Sequence, residues 1–275
     1  MPKGPHKLQE TLLEPTRQPD MPLLKWVGGK RWILPHLEPL WASYKERTLI
    51  ELFAGGLAVA LGLRPRRAIL NDLNPHLINF YRYVQRGLEV KIPLVYNQEV
   101  YYRYRDRFNE LIRKGEWDTE EAAVLFYYLN RTGYNGLCRF NAKGEFNVPF
   151  GRYKNVQYLL DFSPYKEVFQ GWEFRAGDFA QVELEPGAFI YADPPYDVKF
   201  TQYNPGGFNW EDQVRLVEFL EGHQGPIVIS NQATERIVEL YTRFGYTLKV
   251  LKGPRRISCT GSREWVSEVL AFKGL

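Results

Sequence analysis

The chain has 275 residues, 44% of them hydrophobic and 25% charged, with a formal net charge of +4. That is the make-up of a globular protein with ample core, of a length for one large domain or two smaller ones. Two distant cysteines, Cys138 and Cys259, exclude a disulfide framework or cysteine metal cluster, and no apolar run is long enough to span a membrane. The modest positive charge is compatible with a polyanionic partner without establishing one. Aromatic residues reach 15%, with 18 Tyr and 7 Trp, more than core packing alone needs.

In chain order, the first twenty residues are polar, lack an apolar signal core and read as a loosely ordered extension. Met21 to Trp26 is a short apolar stretch. Gly28-Gly29-Lys30 follows, then a helical pattern through Trp32, Ile33, Leu37, Leu40 and Trp41. Paired glycines let backbone approach a ligand, and a lysine beside them can meet a carboxylate or phosphate. The spacing is not that of a Walker phosphate loop, so nucleoside triphosphate binding is not expected. Thr48 to Phe53 reads as a strand that runs through Ala54-Gly55-Gly56 into a small apolar helix, Leu57 to Leu63. A second strand, Arg67 to Leu70, ends in Asn71-Asp72, and a helix starts near Pro75. Asp72 stands about 17 residues beyond the glycine turn, near the spacing of a carboxylate that holds ribose hydroxyls. An Asp after a strand is also a common helix cap, so both readings stand at this point.

From about Asn79 to Trp172 the texture changes. Tyr101 to Arg107 alternates aromatic and basic residues, and Glu120 to Asn130 is a strong helical run. Arg131 to Tyr153 is dense in Gly, Asn, Arg and Tyr with almost no apolar periodicity. Such a segment cannot build its own core, and it reads as an ordered loop or β-hairpin on a helical base. Arg and Asn are the side chains that read guanine and adenine edges, and aromatic rings stack on or wedge between bases. A solvated loop would have much the same composition.

Alternating strands and helices then return. Trp172 to Arg175 is a strand leading to Gly177-Asp178, a further acid at a strand end. Gly187 to Tyr191 is an apolar, buried strand that stops abruptly in Ala192-Asp193-Pro194-Pro195-Tyr196. Prolines have no N–H for a ladder, so the strand ends there. A carboxylate and a tyrosine are left at its carboxyl end, where open α/β sheets keep their sites. A plain strand-to-loop exit would use the same residues. Asn209 to Glu221 is a helix with Asn209 as cap and Glu211-Asp212 in its first turn. Pro226 to Ser230 is a buried strand and Thr234 to Phe244 a helix. Thr247 to Leu251 and Val266 to Phe272 read as strands of a hairpin-like sheet edge, around the basic segment Lys252 to Arg263.

Taken together, these residues resemble the Dam-type DNA adenine-N6 methyltransferases. The similarity covers nearly everything after Pro22: Leu24-Lys25-Trp26-Val27-Gly28-Gly29-Lys30, the turn from Glu51 to Gly55, Asn71-Asp72 and Asp193-Pro194-Pro195-Tyr196. Its most specific part is the block from Leu129-Asn130-Arg131-Thr132-Gly133-Tyr134-Asn135-Gly136 through Gly151-Arg152-Tyr153. The resemblance implies an α/β fold, with a Rossmann-like, S-adenosylmethionine-dependent sheet covered by helices on both faces. It also implies an inserted, mainly helical target-recognition domain with a β-hairpin. The expected boundaries are an extension at 1–20, catalytic parts at 21–78 and 173–275, and the insert at 79–172.

The same resemblance implies roles. Trp26, Lys30, Gly55 and Asp72 would contact the cofactor, Asp178 would meet its adenine amino group, and Asp193 would stand where methyl donor and target meet. Asp193 and the Pro194 carbonyl would accept hydrogen bonds from the adenine amino nitrogen, while Tyr196 stacks on a base that has left the duplex. Lys25, Leu137, Arg139 and Pro149 would touch bases, with Arg139 suited to guanine and Leu137 and Pro149 to a thymine methyl. Tyr134 would wedge into the gap, and Asn135, Asn141, Arg152 and Tyr153 would hold neighbouring base or phosphate groups. GATC is the implied target, in double-stranded DNA, with another A-containing site as the alternative, since relatives with the same scaffold read such sites. No metal and no covalent intermediate are required, so both cysteines are expected to be structural. A cytoplasmic, nucleoid-associated monomer without membrane contact is expected. Two departures stand out: Leu57 where relatives usually carry a third glycine, and Thr132 in place of an aromatic that would otherwise contact DNA. A binding protein without catalysis, or a methyltransferase of protein glutamine or RNA, would share parts of the pattern. The intact Asp193, Pro194 and Tyr196 argue against the first, and the recognition block against the second.

Overall fold

A computed structural model describes residues 21–197, 207–254 and 265–275. The N-terminal extension, Cys259 and most of the basic segment before the last strand lie outside the described residues. Seven strands form one sheet: β1 (Leu49–Glu51), β2 (Ala68–Asp72), β3 (Trp172–Ala176), β4 (Phe189–Ala192), β5 (Ile227–Gln232), β6 (Thr247–Pro254) and β7 (Trp265–Lys273). Their order is β3-β2-β1-β4-β5-β7-β6. The first five strands are parallel, and β7 runs antiparallel between β5 and β6. The two last strands form the hairpin-like edge expected of them, with β7 as its inner strand and β6 as its outer one. Val269, Leu270 and Ala271 of β7 are buried, which calls for a neighbour on each side, whereas Val250 of β6 is 62% exposed.

Strand residues alternate between two apolar layers, as a pleated strand covered on both faces must. Leu49, Leu70, Phe189 and Val228 face one cluster, and Ile50, Ile69, Ile190 and Ile229 face the other. The second layer is covered by α7 (Trp210–Leu220) and α8 (Glu235–Arg243). The first is covered by α1 (Leu34–Trp41), α2 (Ala58–Leu63) and α3 (Pro75–Arg86), and it runs without a break into α4 (Gln98–Lys114), α5 (Glu120–Thr132) and α6 (Ser163–Val168).

The Tyr–Arg alternation between Tyr101 and Arg107 conceals the longest of these helices. Tyr101, Phe108 and Leu111 are buried at helical spacing, the Asn97 side chain accepts from the amides of Glu99 and Val100, and Gly115 at φ +74 ends the helix. The segment after α5 is less regular than a hairpin. It has a 3-10 turn at Tyr134–Gly136, a second turn closed by Gly144 N donating to the Asn141 carbonyl at 2.9 Å, and isolated antiparallel bridges joining Gly133 to Phe150 and Phe140 to Phe146.

Candidate active site

In this strand order the chain leaves β1 toward β2 and β3, then returns to place β4 and β5 on the other side. The carboxyl ends of β1 and β4 thus flank the switch point, where loops diverge and open a crevice. The turn after β1 fills one side of it. Gly55 has φ +46, and a Cβ there would fall 2.8 Å from Trp26 Nε1; one on Gly56 would fall 2.9 Å from Trp26 Cβ. The indole lies across the turn, so side chains are excluded at both positions. Leu57 follows at φ 59, the left-handed region that glycine occupies without strain. Asp72 closes the turn from β2: Oδ2 accepts from Gly55 N at 2.9 Å and Oδ1 from Asn74 N at 2.9 Å. A carboxylate offers about four acceptor directions, so capacity remains for hydroxyls. Burial pushes the Asp72 carboxyl upward against the pull of the Asn74 and Gly55 amides. Glu51, 2% exposed at the end of β1, leaves Oε1 without a partner, and burial pushes its carboxyl up to about 8.

The turn after β4 fills the other side. Lys30 Nζ donates to Tyr196 Oη at 2.6 Å and stands 3.1 Å from Asp193 Oδ1 and 3.8 Å from Glu268 Oε2. Tyr196 Oη donates in turn to Glu268 Oε1 at 2.6 Å. Ser230 Oγ donates to Asp193 Oδ1 at 2.8 Å and lies 2.8 Å from Tyr191 Oη. Both donors to Asp193 therefore converge on Oδ1, and among the described residues none reaches Oδ2. Burial raises the Asp193 carboxyl above the ordinary range, with Lys30 and Ser230 opposing the shift.

The sequence reading gave Lys30 to the cofactor; the structure sets its ammonium between Asp193 and Tyr196. Ser230 and Glu268 escaped that reading. The available signal was an acid inside the apolar run of the last strand. Because β7 is antiparallel, its beginning lies at the edge where the parallel strands end, and Glu268 pairs with Gln232 there. Asp178 is held differently from the reading. Arg215 grips both its oxygens at 2.7 and 2.8 Å, and Oδ1 also accepts from Ala180 N at 2.9 Å. The Arg215 guanidinium keeps the Asp178 carboxyl below the ordinary range.

Of the residues assigned to DNA, Lys25, Tyr134, Pro149 and Tyr153 lie at the end of α5. Asn130 clamps Lys25 by both backbone groups at 2.8 Å, and Lys25 Nζ donates to the Arg131 carbonyl at 2.8 Å while standing 3.5 Å from the Tyr153 ring centroid. Burial, with Arg131 nearby, lowers the Lys25 ammonium to about 8. Tyr134, Asn135, Arg139, Asn141, Pro149 and Arg152 are exposed, and Leu137 is partly so. Asn135 takes φ 52, and its turn is fixed by Tyr134 N donating to the Pro149 carbonyl. Arg139 Nε donates to Asn147 Oδ1 at 2.8 Å, and Asn141 Oδ1 accepts from the amides of Lys143 and Glu145.

This segment has no core of its own because it borrows one. Phe140 stacks on His76 with ring centroids 4.9 Å apart, and Asn109 clamps the backbone of Phe146 at both ends. Thr132 is fully buried with its hydroxyl 2.8 Å from that of Tyr158. The expectation that this substitution touches a DNA contact is corrected: the position faces the interior. Cys138 is half-buried and its sulfur accepts from Asn74 Nδ2 at 3.2 Å, with desolvation pushing the thiol up to about 12, a structural setting. Among the described residues no cluster of metal ligands occurs and no helix is long and apolar enough to cross a membrane.

Residues 26–254 match a family described as D12 class N6 adenine-specific DNA methyltransferase. The chain is 38% identical over 269 residues to a DNA adenine methylase of Escherichia coli (strain K12), covering 90% of this chain and 94% of that one. It is 35% identical over 272 residues to the retron Ec67 DNA adenine methylase of Escherichia coli, with coverage of 92% and 91%. It is also 36% identical over 246 residues to a type II methyltransferase of Lactococcus lactis subsp. cremoris, with coverage of 81% and 85%.

Proposed function

Since this chain belongs to the D12 class of N6 adenine-specific DNA methyltransferases, we propose that it methylates the adenine of GATC in duplex DNA, on a base turned out of the helix, with S-adenosylmethionine as donor. The observation that carries this reading is the state of Asp193. One carboxylate oxygen takes both Lys30 and Ser230, and among the described residues none reaches the other.

The adenine amino nitrogen is a weak nucleophile because its lone pair is delocalised into the ring. Asp193 Oδ2 and the Pro194 carbonyl accept its two N–H groups and draw it toward tetrahedral geometry, which localises the lone pair for attack. Ser230 and Lys30 hold Asp193 in place by its other oxygen. Lys30 and Glu268 tie down the Tyr196 hydroxyl, and with the Lys30 ammonium over one face, 4.6 Å from the ring centroid, the opposite face is the one to stack on the base. The cofactor, when bound, supplies an electrophilic sulfonium methyl group. Trp26 over the Gly55 turn offers a surface for its adenosine, and Asp72 retains acceptor capacity for its ribose hydroxyls. The unpaired Glu51 Oε1 fits a polar ligand atom in this crevice. Asp178, engaged by Arg215, would share an oxygen with an adenine amino group rather than offer a free one.

Lys25, Leu137, Arg139 and Pro149 would read the bases, with Tyr134 as the wedge and Asn135, Asn141, Arg152 and Tyr153 as supporting contacts. GATC follows from their match to the relatives' pattern. A monomer acting in the cytoplasm completes the reading, with the helical insert at 79–172 as its recognition domain. Incubation with methyl-labelled S-adenosylmethionine and duplexes with and without GATC tests it. Label is expected only in the GATC duplex, and Asp193→Ala is expected to abolish transfer while DNA binding persists. Retained turnover in that variant would discard the mechanism.

A further inference from the structure

Asp193-Pro194-Pro195-Tyr196 has an unusual backbone: two successive residues carry no N–H. A loop of ordinary residues is fixed through its donors as well as its acceptors, whereas this one can be fixed at its centre only through carbonyls. One carbonyl, that of Pro194, is the proposed acceptor for the substrate and must remain open. The other is taken. Gln213, from the first turns of α7 and 1% exposed, donates its Nε2 to the Pro195 carbonyl at 2.8 Å. The orientation of that amide is itself set: Gln213 Oε1 accepts from Asn231 Nδ2 at 3.0 Å. Asn231, fully buried in β5, also donates to Tyr241 Oη at 3.0 Å, and its own Oδ1 accepts from Gln232 N at 2.8 Å. Neither amide has a surface role, and each is costly to bury unless its polar groups are paired. α7 is anchored independently by a capping box between Asn209 and Asp212, so Gln213 projects from a fixed helix start.

We infer that Gln213 is a positioning residue for methyl transfer, fixing the Pro195 peptide so that the Pro194 carbonyl keeps its aim at the target nitrogen. The chain Tyr241–Asn231–Gln213–Pro195 links α8, β5 and α7 to the loop after β4. This inference rests on the proposed use of the Pro194 carbonyl. Gln213 does not touch substrate; it acts through one peptide unit. An ordinary core amide at this position would affect folding, and the fraction of active enzyme, but not the turnover of each active molecule.

The test compares Gln213→Ala and Gln213→Glu with the native enzyme on a GATC duplex, with active sites counted by single-turnover burst. Gln213→Ala removes the donor and is expected to lower kcat per active site on the order of 10- to 100-fold. KM for DNA should stay near the native value, because only the reacting geometry is loosened. Gln213→Glu keeps the size and carries the test even where the alanine variant does not fold. Its protonated carboxyl can donate to the Pro195 carbonyl as the amide does, while its carboxylate cannot. The glutamate variant should therefore gain a limb on which kcat falls as pH rises, absent from the native profile. Native kcat in a folded Gln213→Ala variant overturns the inference. So does a Gln213→Glu profile parallel to the native one, or no activity at any pH at which the native enzyme turns over. Asp193→Ala in the same assay separates the two ideas. Retained turnover there discards the reading of the active site, whereas lost turnover alongside native-like Gln213 variants discards only the role of Gln213.

Discussion

At the scale of single residues, the proposed mechanism asks the site to direct two acceptors, a carboxylate oxygen and a peptide carbonyl, at one nitrogen. Ser230 and Lys30 occupy the same oxygen of Asp193. Burial already raises this carboxyl, and both donors pull it back. Ser230→Ala removes one donor, so the folded pKa of Asp193 should rise further. In the proposed mechanism transfer needs the carboxylate, so activity is expected to fall as pH drops through that pKa. The acid limb of the kcat profile should accordingly move to higher pH in the variant, and an unmoved limb would remove Asp193 as the titrating group. The stability consequence has the opposite sense. The folded chain holds this proton more tightly than the unfolded chain, so the contribution of Asp193 to stability declines as pH rises through the same interval. On the DNA side, Arg139 is exposed and oriented by Asn147. Arg139→Ala should cost about 1–3 kcal/mol of discrimination at one guanine, measured on duplexes altered at that position. Uniform weakening on all duplexes would mark a phosphate contact instead. Asp193, Pro194, Tyr196, Asp72 and Gly55 were legible as residues because prolines, glycines and acids punctuate strands visibly. Ser230, Glu268 and Gln213 were not, because a hydroxyl, an acid and an amide inside regular elements show their partners only after the elements are assembled.

At the scale of elements, the turn from β1 into α2 shows two effects in competition. Leu57 holds a left-handed backbone that costs a side-chain-bearing residue about 1–2 kcal/mol, and glycine would relieve it. Yet its side chain is fully buried, and removing such a leucine typically costs about 2–5 kcal/mol. Packing outweighs the backbone strain. Leu57→Gly should therefore destabilise the chain by roughly 1–3 kcal/mol in urea unfolding, although it restores the residue usual in relatives. A more stable variant would show that strain dominates. The helical insert shows why sequence texture can mislead. In α4 the tyrosines and arginines alternate along the chain, while burial follows Tyr101, Phe108 and Leu111 around the helix. The recognition segment beyond α5 has no periodicity to read because His76, Phe108 and Asn109 supply its packing from elsewhere.

At the scale of the whole molecule, the parallel strands were legible from apolar runs that end in acids, glycines or prolines, and the helices between them from their caps. The position of β7 was not. Strand order depends on which edges remain unpaired once β1 to β5 have assembled, and no local residue pattern states it. That order matters for the site, since it brings Glu268 to the edge that carries Asp193, Ser230 and Lys30. It also leaves one core shared between sheet and insert, so the proposed base-reading surface and the candidate active site are fixed to a common body. The central claim, adenine methylation at GATC from the crevice beside Asp193, is tested most directly by a base-resolution map of N6-methyladenine. The DNA should come from a host lacking adenine methylation that expresses either the native chain or Asp193→Ala. The native chain should mark the adenine of GATC across the genome, and the variant should leave it unmodified. Methylation at another sequence would contradict the target, and equal marking by both chains would contradict the site.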